Sequence, residues 1–240
     1  DGLNLRIASG EVLGVFGLTG AGKSTLLDLI ARVREPGEDT IYFDDQDIST
    51  IDVQAHWRRL AYVTQRPFLF SRSVRANITW TPDGEDIDEA ALQQAIQDAA
   101  LDHDLTLLGS GINTVVGERG ITLSGGQRQR VALARAFYRD YELLLLDDVL
   151  SAVDHATEKR LIDAIYRRTA TQDGTPRTAI IVSHRVSVLS RADRIIVIEN
   201  GRVVDEGTHA QLSEATDSIY ARAWRLQRDL ATLESEGEGA

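Results

Sequence analysis

Two stretches of this sequence carry residue types and spacings suited to a polyphosphate. The first, Gly17-Leu18-Thr19-Gly20-Ala21-Gly22-Lys23-Ser24-Thr25, fits the pattern G-x-x-x-x-G-K-[ST] between a strand-like apolar run and a segment of helical periodicity. Glycines in such a turn let the backbone curl until successive N–H groups point inward at phosphate oxygens, and the N-terminus of the following helix adds partial positive charge. Lys23 supplies a full charge for the β- and γ-phosphates, and Ser24 offers a hydroxyl to Mg²⁺. The second stretch, Glu142 to Asp148, is a run of four leucines ending in the carboxylates Asp147 and Asp148. Acidic residues after a strand often cap the next helix, whereas a carboxylate beside a phosphate-binding loop holds Mg²⁺ through its water shell; the glycine-rich loop favours the second role for Asp147.

These side chains need a scaffold, and the rest of the chain supplies its outline. Short β-type runs alternate with helix-period segments, the pattern of an α/β fold with a mostly parallel sheet covered by helices. Strands are expected over Glu11 to Gly17, Thr40 to Phe43, Leu60 to Thr64, Glu142 to Asp147, Thr178 to Ser183 and Arg194 to Glu199. Helices are expected over Lys23 to Val33, Asp88 to Ala100, Gly126 to Arg139, Ala156 to Arg168 and Ser218 to Leu230. In the second helix Ala91, Leu92, Ala95, Ile96, Ala99 and Ala100 form one apolar stripe, with Asp88 placed to cap the N-terminus. Residues 67–123 hold helices without a convincing strand pair and are expected to form a helical subdomain inserted into a core of residues 1–66 and 124–232, with 233–240 a flexible acidic tail.

Bulk properties narrow the partners. The formal net charge of −11 repels a phosphodiester backbone, so nucleic acid is not expected as a partner. No apolar run approaches the ~18 residues that span a bilayer. The absence of cysteine excludes disulfides and thiolate metal sites and suits a reducing cytosol. The sequence has no methionine and opens at Asp1 on the strand-like Gly2 to Ile7, which predicts a piece of a longer polypeptide lacking its first strands.

Leu123-Ser124-Gly125-Gly126-Gln127, just before a helical segment rich in Ala, Leu and Arg, resembles the signature sequence of the ATP-binding cassette ATPases. A polar helix cap with a glycine turn is the plainer reading of the same residues. The resemblance implies the P-loop ATPase fold with its helical insertion, ATP and Mg²⁺ as ligands, and a second helix N-terminus whose Ser124, Gly125, Gly126 and Gln127 reach the γ-phosphate of ATP held by a partner domain. It further implies that Gln65 contacts Mg²⁺ and senses a membrane domain. Ser151 to Asp154 would be the D-loop that crosses the dimer interface, and His184 the switch histidine on the γ-phosphate. With Ser24, Asp147 and Gln65 as the metal set, the site is thereby complete in outline.

Pro67 to Phe70, Ser73 to Ile78 and Val116 to Gly120 resemble the exporter-type domains that are joined to a transmembrane domain on the same parent chain and sit at the cytoplasmic face of the membrane. Val115 stands where many members carry an acidic or polar residue. Asp148 stands where most members carry glutamate as general base on the attacking water. Aspartate is shorter by about 1.5 Å, and a misplacement of ~1 Å can cost on the order of 100-fold in rate. The resemblance therefore implies a domain that binds ATP at its own loop, hydrolyses it slowly there, and completes a competent site on a different partner. A homodimer with a sluggish base, a soluble non-transport cassette ATPase and a non-hydrolysing nucleotide switch are the alternatives.

Overall fold

The computed structural model describes residues 2–81, 87–117, 121–150, 153, 155–170, 177–216 and 218–237. The chain opens with β1 (Val12–Phe16) and α1 (Lys23–Ile30), then a small hairpin of β2 (Tyr42–Phe43) and β3 (Gln46–Asp47), α2 (Val53–Arg58) and β4 (Leu60–Val63). The helical stretch follows as α3 (Val74–Thr79), α4 (Glu89–Asp98) and α5 (Asp102–Thr106), leading into α6 (Gly125–Tyr138). The second half runs β5 (Leu143–Asp147), α7 (His155–Thr169), β6 (Thr178–Val182), α8 (Val186–Leu189), β7 (Arg194–Glu199), β8 (Arg202–Gly207), α9 (His209–Glu214) and α10 (Ile219–Gly237).

Six strands form one sheet in the order β4-β5-β6-β1-β7-β8, parallel throughout except for the antiparallel β8 at the edge. The inner strands read as continuous apolar runs because both faces are covered. Side chains alternate between two cores: Leu144, Leu146, Ala179, Ile181, Ile195 and Val197 join one, and Leu143, Leu145, Ile180, Val182, Ile196 and Ile198 the other. Leu27 and Ala31 at α1 seal the second core, while α4, α6 and α7 contribute to the first. Each buried Leu, Val or Ile contributes about 1.5–3 kcal/mol, so the strand ends that carry the functional side chains rest on a fully buried apolar support. Asp88 caps α4 as expected, accepting from the Ala91 amide at 2.9 Å. Among the described residues, no helix is long and apolar enough to cross a membrane.

Four expectations change. Gly2 to Ile7 forms no strand; it lies outside the ladders, with Leu3, Leu5 and Ile7 resting on the second core. Thr40 to Phe43 contributes only β2, which pairs with β3 across Asp44 and Asp45, both at positive φ, instead of joining the main sheet. β8 was not expected, because its half-exposed alternation hides it among polar residues. The tail expected from residue 233 is helical as far as Gly237, in keeping with the helix propensities of Leu233, Glu234 and Glu236.

Candidate active site

The glycine-rich loop connects the buried end of β1 to α1. Gly17 must lack a side chain, since a Cβ there would lie 2.4 Å from the Ile198 carbonyl oxygen. Gly20 and Gly22 take φ of 83° and 99°, the left-handed region that glycine enters without strain. Gly22 is also the N-cap of α1 and offers no side-chain acceptor, and the first turn carries no acidic residue, so the amide end of this helix is left for an anion. Ala21 is buried and packs into the core under the loop, while Thr19 and Thr25 lie on its surface. Lys23 Nζ donates to the carbonyls of Gly17 at 2.8 Å and Leu18 at 2.9 Å, so its charge is folded back over the loop.

The end of β5 faces this loop. Asp147 is buried and hydrogen-bonded by the Ser24 side chain; burial pushes its carboxyl up from the ordinary value, opposed by Ser24 and Lys23. Burial likewise lowers Lys23, opposed by the charges of Asp148 and Asp147. The chain turns at Asp148 with φ of 50°, uncommon for a residue with a side chain but tolerated by aspartate. That turn brings Asp148 Oδ1 to 2.8 Å from His184 Nδ1 and Oδ2 to 3.4 Å from Gln65 Nε2. Burial would raise the Asp148 carboxyl, yet the His184 and Gln65 bonds prevail and hold it below the ordinary range. The same bond raises His184 above its ordinary value, against the effect of burial. Three strand ends, β4, β5 and β6, thus deliver Gln65, Asp147, Asp148 and His184 to one cluster beside Lys23 and Ser24.

Ser124 to Gln127 form a second helix tip that makes no hydrogen bond to the glycine-rich loop among the described residues. Ser124 is the N-cap of α6, its Oγ accepting from the Gln127 amide at 3.2 Å while Gln127 Oε1 accepts from the Ser124 amide at 2.9 Å. The plain capping box is therefore present, and Ser124 keeps its O–H to donate elsewhere. Gly125 is exposed, with no atom within 4 Å of where a Cβ would stand, whereas Gly126 is buried. Of the segment expected to be the D-loop, Ser151, Ala152 and Asp154 lie outside the described residues, as do Glu118, Arg119 and Gly120.

Two supports were missed in the sequence. Gln129 is buried one turn into α6 and donates from Nε2 to the Gln65 carbonyl at 3.2 Å, tying α6 to the residue that touches Asp148. Asp104 accepts two bonds from Arg130, at 2.6 and 2.9 Å, and one from Gln127 Nε2 at 3.3 Å, fixing the helix tip to α5. Neither pairing has a sequence signal, because the partners lie 64 and 26 residues apart.

Comparison with known proteins agrees with this geometry. The family described as ABC transporter matches residues 1–151, more than half of the chain. The chain belongs to the ABC transporter family. It is 38% identical over 228 residues to an ATP-dependent lipid A-core flippase of Cupriavidus pinatubonensis, covering 95% of this chain and 38% of that protein. It is likewise 38% identical over 225 residues to ABC transporter B family member 14 of Arabidopsis thaliana, covering 94% of this chain and 18% of that one. A solved structure of a bacterial Atm1-family ABC exporter with ATP bound superposes with a TM-score of 0.84 at 34% identity, covering 95% of this chain and 39% of that one. The chain spans less than two fifths of the length of these relatives. Within that family it has the α/β fold of the ABC ATPases that the sequence led one to expect.

Proposed function

We propose that this domain binds MgATP at Gly17 to Thr25 and uses it to close against a second nucleotide-binding domain, powering export by a transmembrane domain on the same parent chain. The observation that carries the reading is the gathering of Lys23, Ser24, Asp147, Asp148, Gln65 and His184 around one glycine-rich turn. In this reading the loop amides and Lys23 grip the β- and γ-phosphates, and His184 bonds the γ-phosphate. Asp148 is the carboxylate nearest the attacking water. The charge left on the diphosphate falls to Lys23 and the α1 amides.

Mg²⁺ fits the donor set. Ser24 and Asp147 already share a hydrogen bond and offer hard oxygens, and the Gln65 side-chain carbonyl oxygen is a third, since its Nε2 makes the bond to Asp148. Among the described residues there is no cluster of three or more His, Cys, Asp or Glu side chains placed for a metal. Mg²⁺ needs none, because one carboxylate, a hydroxyl, waters and phosphate oxygens complete its octahedron. When bound it would neutralise charge on the β- and γ-phosphates.

Ser124, Gly125, Gly126 and Gln127 would meet the γ-phosphate of ATP on the partner domain, with Asp154 crossing the same interface. The exposure of the Ser124–Gly125 tip, with an O–H left to donate, supports this. Asp148, one methylene short and already bonded by His184 and Gln65, supports slow hydrolysis at the domain's own site and a heterodimer whose other site is competent. The aromatic groove lined by Pro67, Phe68, Phe70, Trp80 and Arg135, close in sequence to Gln65, supports a membrane domain resting there, with this domain read as lying at the cytoplasmic face of the membrane. Single-turnover assays on the assembled parent protein test the reading: one slow and one fast site are expected, and equal rates at both would overturn the asymmetry. Calorimetry that finds no magnesium-dependent ATP uptake would overturn the whole.

A further inference from the structure

His184 stands on the loop between β6 and α8, and its neighbours are held from two directions. From α7, buried Glu158 pairs with the Arg185 guanidinium and accepts the Ser187 hydroxyl at 2.7 Å. From α10, Gln227 Nε2 donates to the His184 carbonyl at 2.9 Å while its Oε1 accepts from the Val186 amide at 2.8 Å. The two bonds close a ring on consecutive peptide groups, and the second performs a task that the loop leaves undone. Arg185, the N-cap of α8, makes no side-chain cap bond, so Gln227 caps this helix from a distance.

Gln227 is itself anchored to the phosphate loop. Two helical turns earlier on α10, about 10 Å along the axis, Tyr220 is fully buried and meets the ring of Phe16 edge-on at 5.1 Å, and its hydroxyl lies 2.9 Å from His209 Nδ1. Phe16 is the last residue of β1 before Gly17. One helix therefore spans from the base of the phosphate loop to the backbone of the His184 loop, and its rigid rise fixes the distance between them.

We infer that Gln227 is a positioning residue for His184: α10 sets where the histidine stands relative to the phosphate loop by gripping the peptides on either side of its Arg185 neighbour. This rests on the proposed role of His184 toward the γ-phosphate. A residue that acts through His184 affects the discrimination of ATP from ADP, which differ by that phosphate alone, and loses its effect once the imidazole is gone.

The test is a double-mutant cycle on the full-length parent protein assembled with its partner, reading the ratio of ATP to ADP affinity at this site by competition with a fluorescent nucleotide. Gln227→Met, near in shape but unable to make either bond, is expected to lower the ratio about tenfold, and Gln227→Glu, which keeps the acceptor for Val186, about threefold. In a His184→Ala background neither change should lower it further. An undiminished ratio in Gln227→Met, or the same drop with and without His184, overturns the inference while leaving the reading of His184 intact. Should His184→Ala alone leave the ratio unchanged, that reading fails and this inference with it. If Gln227→Met fails to fold in a thermal melt, Gln227→Glu and Gln227→Asn carry the cycle with the same expected and overturning outcomes.

Discussion

The two helix tips that can receive a phosphate, at Gly22 of α1 and Ser124 of α6, are built on opposite plans. The α1 tip is surrounded by charge: Lys23, Asp147, Asp148 and His184 balance one another, and Lys23 closes the loop on its own carbonyls. The α6 tip carries no titratable group among its four residues and is complete as a capping box, with an exposed glycine beside it. One is an electrostatic site held in readiness by its own counter-charges; the other is a neutral hydrogen-bonding surface that needs an object brought to it. On the proposed reading, a chain built this way carries two halves of different sites.

That contrast fails most visibly if Lys23 is removed. Lys23→Ala takes away both the loop's internal fastening and its charge for phosphate, so ATP affinity at this site should fall on the order of 10³-fold, about 4 kcal/mol. Calorimetry on the assembled protein measures it; a drop of less than about threefold would mean that the loop amides alone hold the nucleotide. At the other tip, a Cβ on Gly125 has no atom from outside its own helix turn within 4 Å, so Gly125→Val should leave ATP binding by the domain alone unchanged. Turnover of the assembled protein should nevertheless fall about 100-fold, because the side chain blocks close approach of a partner's phosphate. Unaltered turnover would show that Gly125 faces solvent in the working state.

How far this contrast could be seen in the sequence depends on range. The phosphate loop and the two carboxylates are local patterns, and the central strands announce themselves because burial on both faces demands runs such as Leu143 to Leu146 and Ile195 to Ile198. β8 is legible only through its turn: polar alternation hides the strand itself, but Asn200-Gly201 between Ile198 and Val203 is the tight-turn pair of a hairpin, and both residues take positive φ. The hairpin of β2 and β3 turns on Asp44 and Asp45, whose conformation an acidic pair does not advertise. Gln129, Asp104 and Gln227 are of another kind, since each acts through a partner that only packing brings near.

A subtler probe is Asp148→Glu. If reach alone limits this carboxylate, the longer side chain should raise hydrolysis at this site about tenfold, provided Gln65 and His184 can follow it. Single-turnover rates on the assembled protein check this, and an unchanged or lower rate would place the limit elsewhere than in the missing methylene.

The smallest effect separates the two tips by pH. His184 is raised and Asp148 depressed by their mutual bond, so the pair contributes stability between the depressed carboxylate value and the raised imidazole value. A raised histidine gives its full contribution below its ordinary pKa and loses it as pH climbs through the raised one. The carboxylate's share disappears only as pH falls through its own depressed value. Because the His184 side chain is 55% exposed, solvent screening limits the contribution to below about 1 kcal/mol, or about 2 °C in melting temperature for a domain of this size. The offset between the parent domain and His184→Ala without nucleotide should be largest near about pH 6 and shrink by about pH 8.5. Ser124→Ala, which removes a neutral cap worth about 1 kcal/mol, should lower the melting temperature by the same amount at both. If the Ser124 offset moved with pH while the His184 offset stayed flat, the charged tip and the neutral tip would have been assigned the wrong way round.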